Sequence, residues 1–186
     1  MILESAKPED RQGILAVTAK IDIFTDEEKD TVRELWDEER DYKFIVAREE
    51  GQIVGFTCYD ERGLTHGTYD LYWIAVDPSA RRLGVGKALM CATEAEVKER
   101  GGRLIVVETS GMEEYESTRA FYALEAGYNM AMRESMRGVD EDGDDVEQQE
   151  AAVFEHDLAF HLSVAGRADR DGDGVEQVRA RLGRHE

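Results

Sequence analysis

The chain has 186 residues, of which 42 are acidic and 23 are basic, and its formal net charge is -19. Hydrophobic residues make up 41% of it, enough to build the core of one globular domain, which excludes disorder over the whole length. A surface this negative repels phosphate backbones, and no apolar stretch approaches the roughly 20 residues of a membrane span, so we expect neither a nucleic-acid partner nor a membrane.

The N-terminal part of the chain predicts two helices. Pro8 can occupy the first position of a helix, and apolar residues then recur at helical spacing over residues 14–21. Thr25 and Glu28 have the spacing of a capping box, which predicts a second helix that runs to about Arg40. Both helices therefore precede the main run of strands.

Three extended segments follow the helices. The first two form a hairpin around a turn at residues 50–52, and the third is stopped by Asp77-Pro78. The predicted strands are residues 43–48, 53–59 and 69–76.

The second half of the sequence alternates helices and strands. A helical stripe begins at Val85 and is closed by Gly101 and Gly102. Residues 104–107 are a continuous apolar run, typical of a strand that is covered on both faces. A short helix that ends at Gly127 then precedes an alternating strand from Tyr128 onward.

The composition changes at Gly138 to a run rich in Asp and Glu, which predicts a solvated acidic loop. Residues 151–154 could add one last strand. The order β-α-α-β-β-β-α-β-α-β-β then predicts an α/β fold with a mixed sheet flanked by helices. We divide the chain into a domain at residues 1–137, an acidic loop and last strand of the same domain at 138–162, and a loosely packed tail at 163–186.

The cysteines, histidines and lysines indicate which cofactors and which cellular compartment to expect. Cys58 and Cys91 form no CxxC pair, so we expect neither a disulfide framework nor a cysteine zinc site, and a reducing cytoplasm fits. The four histidines lack metal-ligand spacing, and we expect no metal. Excess carboxylate with little lysine is typical of proteins from a salt-saturated cytoplasm; an ordinary acidic surface is the alternative.

A strand, a short loop and a helix start meet at residues 74–88, with glycines where the backbone could approach an anion. Three glycine-rich phosphate motifs compete for this stretch. A P-loop is excluded because Arg81 replaces its first glycine and Ala88 replaces its Ser or Thr. The dinucleotide fingerprint is excluded because Leu89 replaces its third glycine. The third motif, Arg/Gln-x-x-Gly-x-Gly/Ala, is matched by residues 81–86.

With that motif the chain resembles the GNAT superfamily of N-acetyltransferases, in which this loop cradles the pyrophosphate of acetyl-CoA. A second family feature, an aromatic-Tyr pair ahead of a Gly-aromatic pair, is matched by Phe121-Tyr122 and Gly127-Tyr128. The resemblance covers roughly residues 1–137. It implies a splayed central sheet and transfer of an acetyl group from acetyl-CoA to a primary amine.

The resemblance also implies roles for individual residues. Tyr122 would protonate the leaving sulfur, while Asp70 and Glu108, at the open centre of the sheet, would accept the ammonium proton. Backbone N–H groups near Ala75 and Val76 would bond the acyl oxygen. The residues expected to bind acetyl-CoA are Ile74, Ala75, Val76, Arg81, Arg82, Leu83, Gly84, Val85, Gly86, Lys87 and Ser117.

Alternatives stay open for Tyr122 and for the activity. Four residues separate Tyr122 from Gly127 where the family usually has three. The helix therefore either absorbs the extra residue as a bulge or rotates Tyr122 into the core. A non-catalytic acyl-CoA-binding or regulatory module is the alternative to an enzyme. The acceptor could be a small molecule or a peptide, and a homodimer is left open.

Overall fold

The structure, a computed structural model, describes residues 1–38 and 42–125 and, beyond them, four strands. Its helices are α1 (Arg11–Ala19), α2 (Asp26–Asp37), α3 (Val85–Glu99) and α4 (Glu116–Ala120). Its strands are β1 (Ile2–Ser5), β2 (Lys43–Glu49), β3 (Gln52–Glu61), β4 (Thr68–Val76), β5 (Leu104–Ser110), β6 (Asn129–Arg133), β7 (Gly138–Val139), β8 (Asp145–Val146) and β9 (Ala151–Asp157).

Seven strands form one mixed sheet in the order β1-β2-β3-β4-β5-β9-β6. β4 and β5 run parallel, and the other neighbouring pairs in this sheet are antiparallel. The predicted α/β fold class is therefore confirmed, and the last strand extends beyond its predicted end to Asp157. The acidic segment is not a loop throughout, because β7 and β8 pair there as a separate two-stranded sheet.

The helix starts follow the capping signals in the sequence. Pro8–Asp10 forms a 3₁₀ turn ahead of α1. At the start of α2, Thr25 Oγ1 accepts a hydrogen bond from the Glu28 N–H at 3.1 Å, and Glu28 Oε2 accepts one from the Thr25 N–H at 2.8 Å. This is the predicted capping box. The predicted end of α2 at Arg40 lies outside the described residues.

Helices cover both faces of the sheet. Along β2, Ile45 belongs to the buried cluster that contains α3, while Phe44 and Val46 belong to the cluster that contains α1 and α2. Because successive side chains of a strand point to opposite faces, the two clusters lie on opposite sides of the sheet. We name these sides the α3 face and the α1–α2 face. On the α3 face, the buried hydroxyls of Thr57 in β3 and Thr93 in α3 form a hydrogen bond of 2.9 Å.

The two parallel strands separate after four paired residues. β4 and β5 pair from Thr68 with Leu104 to Leu71 with Val107. Beyond that point β4 stays paired with β3 as far as Val76, whereas β5 pairs with β9 as far as Ser110. The sheet therefore opens between the second half of β4 and the end of β5, as the family resemblance implies.

A β-bulge lies at the point of separation. Tyr59 of β3 is opposite Leu71 of β4, but Cys58 is opposite Trp73, so Tyr72 is the extra residue on β4. The extra residue reverses the alternation of side chains. Leu71 and Ile74, which are three residues apart, both lie on the α3 face, and Trp73 lies on the α1–α2 face.

Asp77, immediately after β4, ties three segments together. Its Oδ1 accepts hydrogen bonds from the Ser79 N–H at 2.9 Å and the Ser79 hydroxyl at 2.6 Å, and its Oδ2 accepts one from Lys20 Nζ at 2.6 Å. Its own N–H donates to the Val54 carbonyl at 2.8 Å. The bond from Lys20, then those from Ser79, lower the pKa of Asp77 to about 2. The network joins the end of α1 to the loop that leads into α3.

Replacing Asp77 by Asn should lower the free energy of unfolding by about 1 to 2 kcal/mol at neutral pH, because the fold favours the charged carboxylate. The folded-state pKa of about 2 lies below the ordinary value of 3.8. This stabilisation is therefore complete above the ordinary value and is lost as the pH falls toward the folded value. Urea unfolding at about pH 6 and about pH 3 should show the difference between the two proteins shrinking at the lower pH.

Asp30→Asn is the matched control for this measurement. The Asp30 side chain is 58% exposed in a surface pair with Arg33, so its loss should change the unfolding free energy by less than about 1 kcal/mol. An Asp77→Asn deficit that is as large at about pH 3 as at about pH 6 would contradict the ionic origin of the stabilisation.

Candidate functional site

A cavity of about 580 Å³ occupies the gap between β4 and β5. Its lining comes from both faces of the sheet. Val85 and Phe121 line it from the α3 face, and Phe24 and Trp73 line it from the α1–α2 face. We name it the through-sheet cavity, because residues from both faces of the sheet line it where the two strands separate.

The loop between β4 and α3 forms one end of the through-sheet cavity. Gly84 has a φ of +79°, a conformation that L side chains rarely adopt, and a Cβ placed on it would meet no atom within 4 Å. The α3 helix begins at the next residue, so the unpaired N–H groups of its first turn lie at this end. The cations in the described lining are Arg81, Arg82 and Lys87, and all three belong to this loop or to the first turn of α3. Cations and helix N–H groups together favour an anion.

Gly86 brings α3 close to the opposite wall. A Cβ placed on Gly86 would lie 3.3 Å and 3.4 Å from two ring carbons of Phe121 and 3.7 Å from a methyl carbon of Val76. These distances are at or inside ordinary van der Waals contact. A side chain at position 86 would therefore displace the Phe121 ring.

The second half of β4 forms one long wall of the cavity. Ile74, Ala75 and Val76 line it, and β4 is paired with β3 on its other edge. Among the described strands, none pairs with the β5-facing edge of β4 beyond Leu71. Backbone N–H and C=O groups on that edge are therefore available to a ligand.

Tyr122 lies in a π-helical turn, Phe121–Glu125, that directly follows α4. A π turn holds more residues than an α turn, so it provides room for the fourth residue that separates Tyr122 from Gly127. Gly127 itself lies outside the described residues. Tyr122 is only 3% exposed, belongs to the core of the α3 face and also lines the cavity. Burial raises the pKa of its hydroxyl.

The two carboxylates predicted at the open centre of the sheet are placed differently. Glu108 lines the cavity at the end of the parallel pairing. Asp70 does not, because it is opposite Val106 in the paired part of β4, and Arg62 Nε donates to its Oδ2 at 2.9 Å. Asp70 is one residue before the end of the parallel pairing, and its predicted role stays a prediction. Arg62 also donates to Glu108 Oε1 at 3.3 Å.

The remaining predicted residues fall into two groups. Ser117, Val85 and the loop residues other than Leu83 line the cavity. Leu83 lies outside the lining and is 66% exposed. Its predicted contact with a cofactor stays a prediction.

The sequence did not reveal the Tyr115–Glu28 contact on the cavity wall. The Tyr115 hydroxyl donates to Glu28 Oε1 at 3.0 Å and lies 3.4 Å from the Ile23 carbonyl oxygen. Burial first, then the hydrogen bond to Glu28 and the nearby charge of Glu114, raise the pKa of Tyr115 to about 12. Eighty-seven positions separate the two residues, so no local pattern could have paired them.

The described residues include neither a group of metal-ligand side chains nor a membrane-spanning helix. None of their His, Cys, Asp and Glu side chains gather in threes or more in a way that could hold a metal ion. No helix among them combines the length and the hydropathy needed to cross a membrane.

A family model described as "Acetyltransferase (GNAT) family" matches residues 14–128, more than half of the chain. The chain belongs to this family. The resemblance carried by the loop at residues 81–86 is thereby confirmed. No match was found among curated proteins.

Solved structures share the fold of this GNAT chain. A protein from Desulfovibrio desulfuricans assigned to the GNAT acetyltransferases is 32% identical, with 84% of this chain and 99% of that chain covered and a TM-score of 0.70. The ribosomal-protein-S18-alanine N-acetyltransferase of Escherichia coli is 20% identical, with 84% and 93% covered and a TM-score of 0.63. An aminoglycoside 6'-N-acetyltransferase complexed with coenzyme A is 19% identical, with 85% and 97% covered and a TM-score of 0.56. The second and third of these structures, at 20% and 19% identity, show that the fold is shared and nothing about activity.

The contact between α3 and the π turn can be tested through stability. Gly86→Val should lower the free energy of unfolding by about 1 to 3 kcal/mol, because the new side chain overlaps the Phe121 ring. Gly63→Val is the matched control, since a Cβ placed on Gly63 meets no atom within 4 Å. Its effect should stay within about 0.5 kcal/mol. Equal melting temperatures for the two variants would show that Gly86 does not contact Phe121 closely.

Proposed function

We propose that this GNAT protein is an N-acetyltransferase that moves the acetyl group of acetyl-CoA to a primary amine by direct attack in a ternary complex. The through-sheet cavity is the observation that carries the proposal. It joins an end lined by cations and helix N–H groups to an end lined by carboxylates, along a strand edge with available backbone groups. Two substrates of different charge can therefore meet in it.

The residues present fit acetyl-CoA at the α3 end of the cavity. Gly84 leaves the backbone open to a pyrophosphate, while Arg81, Arg82 and Lys87 carry the opposite charge. When bound, acetyl-CoA supplies an acetyl group activated as a thioester.

Further contacts follow the path of the cavity from that end. The free edge of β4 at residues 74–76 offers backbone donors and acceptors to the pantetheine and the acyl oxygen. The Ser117 hydroxyl can bond the same chain of the ligand from the opposite wall.

Proton transfer falls to two groups in this proposal. Glu108 accepts the proton of the attacking amine, through water, since its carboxylate lines the cavity where the strands separate. Tyr122 donates a proton to the departing sulfur, because burial keeps its hydroxyl protonated at neutral pH. Asp70, which is absent from the cavity lining and bonded to Arg62, is given no part in this scheme.

Thiol release decides between an enzyme and a non-catalytic acyl-CoA-binding module. The full chain is incubated with acetyl-CoA and a panel of amines: amino acids, polyamines, aminoglycosides and peptides with free N-termini. Release of CoA that depends on any of these amines excludes the module. Binding of acetyl-CoA without turnover across the panel would favour it.

Gly84→Glu should abolish most of the affinity for acetyl-CoA. The substitution adds a side chain and a negative charge where the pyrophosphate is proposed to bind, on a backbone with a φ of +79°. Isothermal titration calorimetry with acetyl-CoA measures the effect. Gly63→Glu adds the same charge in open space elsewhere and should bind normally. Unchanged affinity in a folded Gly84→Glu protein would remove the loop from the cofactor site.

Tyr122→Phe should lower kcat by roughly 10²-fold, because the departing thiolate then lacks its proton donor. The aromatic ring stays in the core, so the melting temperature should change little, and so should the affinity for acetyl-CoA. Steady-state kinetics, thermal unfolding and isothermal titration calorimetry of this variant give the three quantities. An unchanged kcat would assign the proton to water or to another residue.

A further inference from the structure

The α1–α2 end of the through-sheet cavity has a predominantly apolar wall. Ile21, Ile23, Phe24 and Trp73 line it there. The rings of Phe24 and Trp73 pack edge to face, with centroids 4.9 Å apart and an interplanar angle of 75°. Such a wall favours a ligand with apolar or aromatic surface.

One carboxylate in this wall is held in a defined position. Glu28 accepts hydrogen bonds from the Thr25 N–H at 2.8 Å through Oε2 and from the Tyr115 hydroxyl at 3.0 Å through Oε1. Tyr115 is itself 9% exposed and comes from the opposite side of the gap, next to α4. Glu28 is therefore a fixed negative group, unlike an exposed glutamate that turns freely in solvent.

The charges of the lining are divided between the two ends. Its cations, within the described residues, are the three that the proposed function assigns to the pyrophosphate. Its carboxylates are Glu28, Glu108 and Glu114. Glu28 accepts the hydrogen bond of Tyr115, and Glu114, which also lines the cavity, directly precedes Tyr115 in the chain. Glu108 is bonded to Arg62, which lies outside the lining, so the repulsion of a ligand carboxylate at this end comes chiefly from Glu28 and Glu114.

We propose that the acceptor is a primary amine with an apolar, preferably aromatic, substituent and no carboxylate on the carbon that carries the amino group, and that Glu28 sets this preference. The inference rests on the proposed function and narrows it. In the transfer, a C–N bond forms between the acetyl carbon and the amine, the thioester C–S bond breaks, the nitrogen loses one proton and the sulfur of CoA gains one. Small arylalkylamines and apolar peptide N-termini share the required chemistry.

Matched amines test the preference for an apolar substituent and the exclusion of a carboxylate separately. The release of CoA thiol by the full chain is measured with each amine. Phenethylamine differs from phenylalanine only by the carboxylate, and from methylamine by the apolar group. We expect kcat/KM for phenethylamine to exceed that for each of the other two at least tenfold. Phenethylamine is a stronger base than phenylalanine, so a smaller fraction of it is neutral at a given pH. A higher kcat/KM for phenethylamine therefore cannot come from a larger supply of neutral amine. A peptide amide with an N-terminal phenylalanine distinguishes the two sources of the shared chemistry.

Glu28→Gln assigns the preference to a residue. Gln can still complete the capping box with Thr25 and accept a hydrogen bond from Tyr115, so the helix start should persist. The ratio of kcat/KM between phenethylamine and phenylalanine should fall at least tenfold in this variant, while the affinity for acetyl-CoA stays unchanged. Glu27→Gln, an exposed neighbour outside the cavity lining, should leave the ratio as it is.

The outcomes separate this inference from the proposed function. Equal use of phenylalanine and phenethylamine, or an unaltered ratio in Glu28→Gln, overturns the inference and leaves an N-acetyltransferase. The inference is also overturned, and an N-acetyltransferase remains, if the protein acetylates other amines but neither phenethylamine nor the peptide amide. Absence of acetyl-CoA binding in calorimetry overturns the proposed function itself. Preference for phenethylamine or for the peptide amide supports the inference and identifies the source.

Discussion

The separation of β4 from β5 is the constraint on which the rest of the site depends. Parallel pairing stops after Leu71 and Val107, where the bulge on β4 begins, while β3 stays paired with the other edge of β4 and β9 with the other edge of β5. The gap supplies a cavity that reaches both faces of the sheet and a strand edge with available backbone groups. A sheet paired along its whole length would have neither.

Two local irregularities adapt the surrounding elements to this gap. The bulge at Tyr72 reverses the alternation of β4, so that Ile74 lies on the α3 face and Trp73 lies on the α1–α2 face. The π turn that contains Tyr122 adds a residue to the helix while Tyr122 still lines the cavity. Both irregularities change the direction of side chains without interrupting the element that carries them.

The distribution of charge within the cavity differs from that of the whole chain. The net charge of -19 describes a surface that repels anions, yet the α3 end of the lining carries Arg81, Arg82 and Lys87 beside a helix N-terminus. Local groups decide what binds there because charges beyond about 10 Å are largely screened in salt. The local charge at the α3 end of the cavity is therefore opposite in sign to the net charge of the chain.

Features that depend on short spacings along the chain could be predicted from the sequence. The order of the elements from β2 to β5, the capping box at Thr25 and the loop at residues 81–86 all follow from residues close in the chain, and the structure has them where they were predicted, whereas the β7–β8 hairpin was not predicted. Contacts between distant parts of the chain needed the tertiary structure. The register of β4 against β5 puts Asp70 in their paired part and Glu108 just beyond it, and the contact of Tyr115 with Glu28 spans 87 positions. Such contacts depend on how the strands and helices pack together, which the spacing of residues along the chain does not specify.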